Sequence, residues 1–222
     1  MRAFRALLKA NERKDKIEWT RKITNTLMPL YAIPSPQVKA FAKSISKGNA
    51  LSFLQAEPYT SLEESFIAAY LIMRLPQEER KKYLDEYLRH VDCWATTDTL
   101  EFHISPPTRP LWWNYAQEYL RDPRPFVRRT GLRILFSYIE CDEYLQGIYD
   151  VLDSLIDERE YYVNMCAAWL LCELVIKRRE QTLSYLRHNK TNAFIVNKGV
   201  QKCRDSFRVS EEDKEYLLRF KR

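Results

Sequence analysis

The chain has 222 residues, of which 45% are hydrophobic and 30% are charged, a composition typical of a soluble globular protein with a full core. Only 4 glycines occur, which excludes the glycine-rich loops that cradle nucleotide phosphates. The 36 basic and 30 acidic residues leave a net charge of +6, a modest excess that is compatible with a polyanionic partner.

The cysteines and histidines predict no metal site. The 5 cysteines include no C-x-x-C pair, so neither a zinc site nor a disulfide framework is indicated. His90, His103 and His188 match no ligand spacing, and we expect neither a metal nor a small-molecule cofactor. Residues near the N-terminus form no uninterrupted apolar region, and no stretch approaches the length of a membrane span, so we expect a cytoplasmic protein of the bacterial cytosol or nucleoid, without membrane contact.

Helical patterns begin at the amino end. Residues 1–12 carry apolar side chains at the spacing of a short amphipathic helix. A second helix begins at Asp15, and four apolar residues are predicted to form its buried stripe: Ile17, Ile23, Leu27 and Met28. The segment 29–34 begins and ends with proline and breaks this helix.

Serine residues mark the next two predicted helix starts. Ser35, with a proline directly after it, is predicted to be the N-cap of a helix through Ile45. The run 60–64 (T-S-L-E-E) resembles a capping box ahead of an apolar helix at 66–75. Residues 77–91 then predict an exposed, charge-rich helix.

The second half of the chain predicts seven more helices joined by short turns. They cover 107–120, 123–139, 143–156, 161–175, 181–187, 192–205 and 210–220. The segment 161–175 is apolar on nearly all sides, so its helix is expected to be central and buried. Ser210 precedes three acids, a strong helix start. Because no segment shows the alternating pattern of a strand, the predicted fold class is all-α.

The stretch 91–98 (V-D-C-W-A-T-T-D) places Trp94 and Asp98 four residues apart, hence on one face of a helix. Arg129 follows Trp94 by 35 positions, and Trp169 follows Arg129 by 40. Such intervals suit two-helix repeats of the HEAT type, whose corresponding positions line one concave surface. We therefore predict a HEAT-like helical-repeat solenoid, an α-α superhelix with a concave basic face.

Five stretches resemble motifs of the DNA alkylation repair family, the AlkD-like HEAT-repeat alkylpurine DNA glycosylases. They are 32–36 (A-I-P-S-P) with Lys39, 91–98 (V-D-C-W-A-T-T-D), 126–129 (F-V-R-R), 160–169 (E-Y-Y-V-N-M-C-A-A-W) and 197–202 (N-K-G-V-Q-K). None of them is specific alone, but their order and spacing are those of the family. The resemblance implies a single AlkD-like helical-repeat domain over residues 1–222.

The resemblance also implies roles for the residues that face a damaged nucleotide. Trp94 and Asp98 match the family's tryptophan and catalytic aspartate, and Trp169 matches the second tryptophan of the cleft. Two positions depart from the family pattern. Ala95 stands where an aspartate is usual, and Cys172 stands where an arginine is frequent.

Further residues are predicted to bind DNA. Arg129 matches an arginine that contacts the DNA backbone, and Arg128 lies beside it. Four more residues are assigned to phosphate binding: Ser35 and Lys39 at a helix start, and Lys198 and Lys202 in the C-terminal helices. DNA binding through phosphate contacts of this kind weakens as the salt concentration rises.

The implied activity is hydrolysis of the N-glycosidic bond of N3- or N7-alkylated purines in duplex DNA. Alkylation makes the base cationic and a good leaving group, so Asp98 need only stabilise the oxocarbenium-like transition state. Trp94 and Trp169 would cradle the lesion by cation–π contacts, each worth about 0.5–2 kcal/mol. The expected partner is double-stranded DNA containing alkylated bases, bound by a monomer against the concave surface rather than in a deep base pocket.

Plainer interpretations stay open at this point. A tryptophan in an apolar helix is more often a packing residue, and a helical aspartate is more often solvated. Arg128 and Arg129 could pair with Glu140 or Asp122. The alternative function is a non-catalytic HEAT-like module of the same family that binds DNA, or a protein, through the same face.

Overall fold

The computed structural model describes all 222 residues, apart from the side chain of Lys47. It is 72% helical without β-strands in the described residues, so the all-α prediction is confirmed. Contacts divide the chain into two compact units, Met1–Glu101 and Phe102–Arg222. The organisation of residues 1–222 as a single domain stays a prediction. Among the described residues, no helix is both long enough and apolar enough to cross a bilayer.

The N-terminal unit is built around one apolar helix. Its α-helices are α1 (Arg2–Ala10), α2 (Ile17–Thr24), α3 (Ser35–Ser44), α4 (Lys47–Gln55), α5 (Leu62–Arg74), α6 (Gln77–Tyr87) and α7 (Trp94–Asp98). Helix α5 packs against α3, α4, α6 and α7, and its side chains at Ile67, Leu71 and Ile72 are fully buried. These four helices therefore depend on α5 for their position.

The start of α5 confirms the predicted capping box. Ser61 is the N-cap, and its hydroxyl accepts a hydrogen bond from the Glu64 N–H at 3.2 Å. The Glu64 carboxylate turns back to accept from the N–H and hydroxyl of Thr60 at 3.0 and 2.8 Å. Arg5 of α1 donates to the same carboxylate at 2.7 Å. Burial alone would raise the pKa of Glu64, but these hydrogen bonds outweigh it and lower the pKa.

Two local predictions were wrong. The predicted stripe of the second helix is not buried, since Ile23 is 45% and Leu27 91% exposed. The helix ends at Thr24, and Asn25 adopts a left-handed conformation with φ 57°, so the helical spacing of the stripe is broken before Leu27. Ser35 is the first residue of α3 rather than its cap, a position that Pro34 occupies without a side-chain hydrogen bond.

Helix α4 was not anticipated from the sequence. Its first turn contains Gly48 and Asn49, which favour helices poorly. The helix forms because the Ser46 hydroxyl accepts from the Asn49 N–H at 3.3 Å and because Phe53 and Leu54 are buried.

The C-terminal unit packs alternate helices side by side. Its α-helices are α8 (Arg109–Leu120), α9 (Pro125–Leu135), α10 (Asp142–Ser154), α11 (Tyr161–Lys177), α12 (Arg179–His188), α13 (Ala193–Asp205) and α14 (Glu211–Leu217). Helix α11 lies against α9 and α13, the succession that stacked two-helix repeats produce. The prediction that α11 is central and buried is confirmed.

Two glycines permit the close approach of these helices. A Cβ at Gly131 would lie 3.0 Å from the carbonyl oxygen of Ala116, so α9 meets α8 at backbone distance. A Cβ at Gly199 would lie 2.8 Å from Cδ2 of Leu171, which brings α13 onto α11. Helices α9 and α11, which carry Arg129 and Trp169, are therefore held by close helix–helix packing.

Candidate functional site

Trp94 and Asp98 are the first and last residues of the short helix α7. Both are half-buried, whereas Thr96 and Thr97 between them are fully buried. The indole N–H of Trp94 donates to the carbonyl oxygen of Ile23 at 3.1 Å. The buried threonines and this hydrogen bond fix the orientation of α7, with Trp94 and Asp98 on one side of it.

That side of α7 forms one wall of a cleft of about 650 Å³ in the N-terminal unit. Four aromatic rings line the cleft: Trp19, Phe66, Tyr70 and Trp94. Three carboxylates also line it: Glu63, Asp98 and Glu101. Arg13, Lys16 and Ser35 also line the cleft. Aromatic walls with several carboxylates and a few cations suit a planar ligand that carries positive charge and is attached to phosphate.

Asp92 has a different task from Asp98 although it belongs to the same motif. Its carboxylate accepts from the Thr26 hydroxyl at 2.8 and 2.9 Å and from the Leu27 N–H at 2.7 Å. Thr26 is 1% exposed, so this carboxylate satisfies polar groups just beyond the end of α2. Asp92 therefore attaches α2 to the segment that carries Trp94.

A second carboxylate, Glu63 of α5, holds the chain that leads into α3. It accepts from the Tyr31 N–H at 3.1 and 3.0 Å and from the Ile33 N–H at 3.2 Å. Burial raises the pKa of Glu63, and these backbone hydrogen bonds only partly oppose it. Between the two donors, Ala32 has a φ of 55°, a left-handed conformation that favours glycine and that the clamp maintains.

Ser35 and Lys39 lie on α3, beside this cleft. Ser35 is exposed in the first turn of the helix, which contains no acidic residue. Lys39 donates to Glu101 at 3.0 Å, and its ammonium lies 5.3 Å from the centre of the Tyr70 ring. The hydrogen bond to Glu101 raises the pKa of Lys39. A phosphate that bound Lys39 would therefore compete with Glu101.

The paired arginines of α9 point into the C-terminal unit. Arg128 donates to the Glu158 carboxylate at 2.8 and 3.2 Å and to the carbonyl oxygens of Asp122 and Pro123 at 3.0 and 2.8 Å. Arg129 is 5% exposed and donates to the Tyr162 carbonyl oxygen at 2.6 Å. Glu158 was absent from the partners considered for Arg128 on sequence grounds.

Trp169 is half-buried on α11 and has a cation of its own protein on its ring. The Arg133 guanidinium lies 4.5 Å from the ring centre, and Phe136 meets the indole edge-on at 4.6 Å. The indole N–H donates to Glu173 at 3.4 Å. Trp169 lines a shallow cleft of about 280 Å³ together with Lys202, whereas Lys198 is exposed on the same helix as Lys202.

Cys172, at the position where the resemblance implies an arginine, faces a second thiol. It is 4% exposed and hydrogen-bonded to Cys203 of α13. This hydrogen bond and burial raise the pKa of Cys203. The position therefore joins α11 to α13 and supplies no fixed positive charge beside Trp169.

The structure thus groups the candidate residues unit by unit. In the N-terminal unit, Trp94, Asp98 and Ser35 line one cleft. In the C-terminal unit, Trp169 and Lys202 line another. The sequence did not predict a role for Trp19, because a single aromatic in a charged helix carries no signal of its exposure. It predicted the contact between Arg133 and Trp169 no better, although Arg133 lies one turn after Arg129 in a basic helix.

Comparison with known families agrees with the sequence resemblance. The model of the family described as DNA alkylation repair enzyme matches residues 4–201 of the 222-residue chain. No curated protein matches the chain.

The Glu63 clamp gives a pH-dependent prediction. Because the folded-state pKa lies above the ordinary value of 4.5, the folded chain binds this proton more tightly than the unfolded chain. The contribution of Glu63 to the free energy of unfolding should be greatest below pH 4.5 and should fall as pH rises through the raised pKa. Urea titrations across this range should show that the free energy of unfolding of wild type, relative to that of Glu63→Gln, decreases as pH rises.

Glu63→Ala serves as the control for the clamp itself. It leaves the Tyr31 and Ile33 N–H groups without their acceptor and should cost about 2–4 kcal/mol below pH 4.5, with a cost that falls as pH rises just as for Glu63→Gln, since neither variant titrates at this position. A wild-type minus Glu63→Gln difference that is constant with pH, or that grows as pH rises, would contradict the raised pKa.

Proposed function

Because the chain belongs to the DNA alkylation repair enzyme family, we propose that it is a DNA glycosylase that hydrolyses the N-glycosidic bond of N3- or N7-alkylated purines in duplex DNA. The observation that carries this proposal is the joint placement of Trp94 and Asp98 in the aromatic cleft of the N-terminal unit. A carboxylate beside an indole face is suited to a reacting centre that gains positive charge.

The reaction requires little acid–base catalysis by the protein. Alkylation at N3 or N7 already places a positive charge on the purine, so the bond from C1′ to N9 breaks with both electrons passing to the base. Water adds to C1′, and its proton passes through the Asp98 carboxylate to solvent. The main requirement is a negative charge near the oxocarbenium-like sugar, which Asp98 supplies without any general acid.

The two tryptophans have unequal roles in this proposal. Trp94 is held by its hydrogen bond to Ile23 and lines the cleft with Asp98, so it is assigned to the sugar and base of the lesion. Trp169 already has Arg133 at 4.5 Å from its ring centre, and a second cation would be repelled from that face. We assign Trp169 to a neutral part of the bound duplex.

The phosphate contacts are assigned to basic residues at the surface. Lys198 and Lys202 are on α13, and neither is in an ion pair with a described residue. Ser35 and Lys39 offer a helix start and an ammonium beside the cleft. Arg128 and Arg129 hold α9 against the segments that precede and begin α11, so their proposed contribution to DNA binding is to fix that layer and add positive potential.

A second candidate function is a DNA-binding module without catalysis. One observation favours it. The positive charge near Trp169 is already engaged within the protein, because the Arg133 guanidinium covers the ring. Cys172, where the resemblance implies an arginine, adds no further charge. Such a module would bind alkylated and unmodified duplex equally and would release no base.

Asp98→Asn should reduce the release of 7-methylguanine from duplex DNA by at least about 100-fold, the usual cost of losing one group that stabilises the transition state. The substituted amide keeps the size of the side chain but lacks its negative charge. Release of the free base is followed chromatographically under single-turnover conditions, together with duplex affinity, which should stay within about 3-fold of wild type because Asp98 is not a phosphate ligand.

The matched control is Glu101→Gln, which neutralises an exposed carboxylate of the same cleft that is paired with Lys39. It should release base at the wild-type rate once the protein is saturated with DNA, and its duplex affinity should not fall, because Glu101 competes with phosphate for Lys39. Equal rates for wild type and Asp98→Asn would refute the role of Asp98, and absence of release from all three proteins with retained DNA binding would favour the module.

Lys202→Ala should weaken duplex binding and should make it less sensitive to salt. Each phosphate contact contributes about 0.9 to the slope of log K against log salt concentration, so the slope should become shallower by about that amount. The comparison variant is Lys82→Ala on α6, an exposed lysine whose ammonium lies near Tyr83. An unchanged slope in Lys202→Ala would remove this residue from the interface.

A further inference from the structure

Two cysteines face each other across neighbouring helices of the C-terminal unit. Cys172 of α11 and Cys203 of α13 are 4% and 1% exposed, and a hydrogen bond joins their thiols. The proposed function assigns no role to either thiol. Two adjoining thiols nevertheless have a chemistry that a single thiol lacks, because oxidation can join them reversibly.

Helix packing holds the two cysteines together. A Cβ at Gly199 of α13 would lie 3.4 Å from the carbonyl oxygen of Ala168 on α11, so the two backbones approach closely there. Each cysteine lies four residues further along its own helix, Cys172 after Ala168 and Cys203 after Gly199. The thiols therefore meet about one turn beyond this contact. Because a disulfide joins only cysteines whose backbones are close, the position is suited to one.

The two thiols differ in access and in acidity. Cys172 lines the shallow cleft beside Trp169, whereas Cys203 is almost completely buried. The hydrogen bond from Cys203 lowers the pKa of Cys172, and it outweighs burial and the charge of Glu173, which raise that pKa. The same hydrogen bond and burial raise the pKa of Cys203. A small oxidant that enters the cleft therefore meets Cys172 first, the thiol that more readily becomes a thiolate.

We propose that Cys172 and Cys203 form a modification site for hydrogen peroxide, at which oxidation closes a disulfide between α11 and α13 within the folded protein. The Cys172 thiolate attacks one peroxide oxygen, and the O–O bond breaks. Cys172 becomes a sulfenic acid, and the hydroxide that leaves takes up the proton that the Cys172 thiol has lost. The Cys203 sulfur then attacks the Cys172 sulfur and breaks the S–O bond, and the departing hydroxide takes the Cys203 proton. The peroxide is thereby reduced to two waters while two thiols become one disulfide.

Closure of the disulfide would also fix two residues of the cleft relative to each other. Trp169 lies three residues before Cys172 on α11, and Lys202 directly precedes Cys203 on α13. A covalent link beside both residues would restrict the distance between the indole and the lysine. The disulfide itself is tested without DNA, so the inference stands independently of the glycosylase proposal.

The test treats the full-length, reduced protein with hydrogen peroxide and counts the remaining thiols after unfolding. Wild type should lose two of its 5 thiols, and peptide mapping should link Cys172 to Cys203. Dithiothreitol should restore both thiols. The oxidised protein should unfold about 5–10 °C above the reduced protein, because the link restricts the unfolded chain.

Three single variants separate the roles of the thiols. In Cys203→Ser, a sulfenic acid should accumulate at Cys172, where a 1,3-diketone traps it. In Cys172→Ser, Cys203 should stay reduced, because it is 1% exposed. Cys141→Ser removes a more accessible thiol of the same unit, and it should form the disulfide at the wild-type rate.

Retention of all 5 thiols in the peroxide-treated wild type would overturn the proposal. Links spread over several cysteine pairs would overturn it as well, because oxidation would then occur in unfolded chains. A lower unfolding temperature of the oxidised protein would contradict closure within the packed helices. Trapping of a sulfenic acid at Cys203 in Cys172→Ser, with none at Cys172 in Cys203→Ser, would contradict the assigned order of attack.

Discussion

The cleft of the N-terminal unit depends on two carboxylates that replace missing backbone hydrogen bonds. Between α2 and α3 the chain has no helix, and its N–H groups at Leu27, Tyr31 and Ile33 find their acceptors on Asp92 and Glu63. Of these donors, the Ile33 N–H lies in buried surroundings, where a donor without an acceptor would cost about 1–3 kcal/mol. These two side chains therefore set the position of α2, of the α3 start and of Trp94 relative to one another.

This constraint explains why Asp92 and Asp98, two aspartates of one motif, have different roles. Asp92 is engaged by Thr26 and Leu27 and holds the wall of the cleft. Asp98, one turn of α7 away from Trp94, lines the cleft itself. The same division recurs among the basic residues of the C-terminal unit, where Arg128 is bound to Glu158 while the lysines of α13 remain at the surface.

Much of the fold follows from local sequence signals, and the exceptions have physical reasons. Capping by Ser61 and Ser210 and the burial of α11 could be predicted because each depends on neighbours in sequence. The exposure of Leu27 could not be predicted, because it follows from the left-handed Asn25 and from a carboxylate 65 residues away.

The candidate site was predictable only in part. Trp94 and Asp98 were singled out by the resemblance to the family, their spacing places them on one face of a helix, and they do line one cleft. The buried Glu63 in that cleft was assigned only to a capping box, since its contacts to Tyr31 and Ile33 depend on tertiary structure. The guanidinium of Arg133 on Trp169 likewise arises from helix packing between α9 and α11.

The central claim is that Asp98 meets positive charge developing on the sugar, and binding of a charged sugar mimic tests it most directly. A duplex with a protonated pyrrolidine nitrogen at the anomeric position is compared with an otherwise identical duplex that carries tetrahydrofuran. Wild type should bind the charged mimic at least about 100-fold more tightly, as expected of a transition-state analogue, and Asp98→Asn should lose that preference. An equal preference in both proteins would contradict the account.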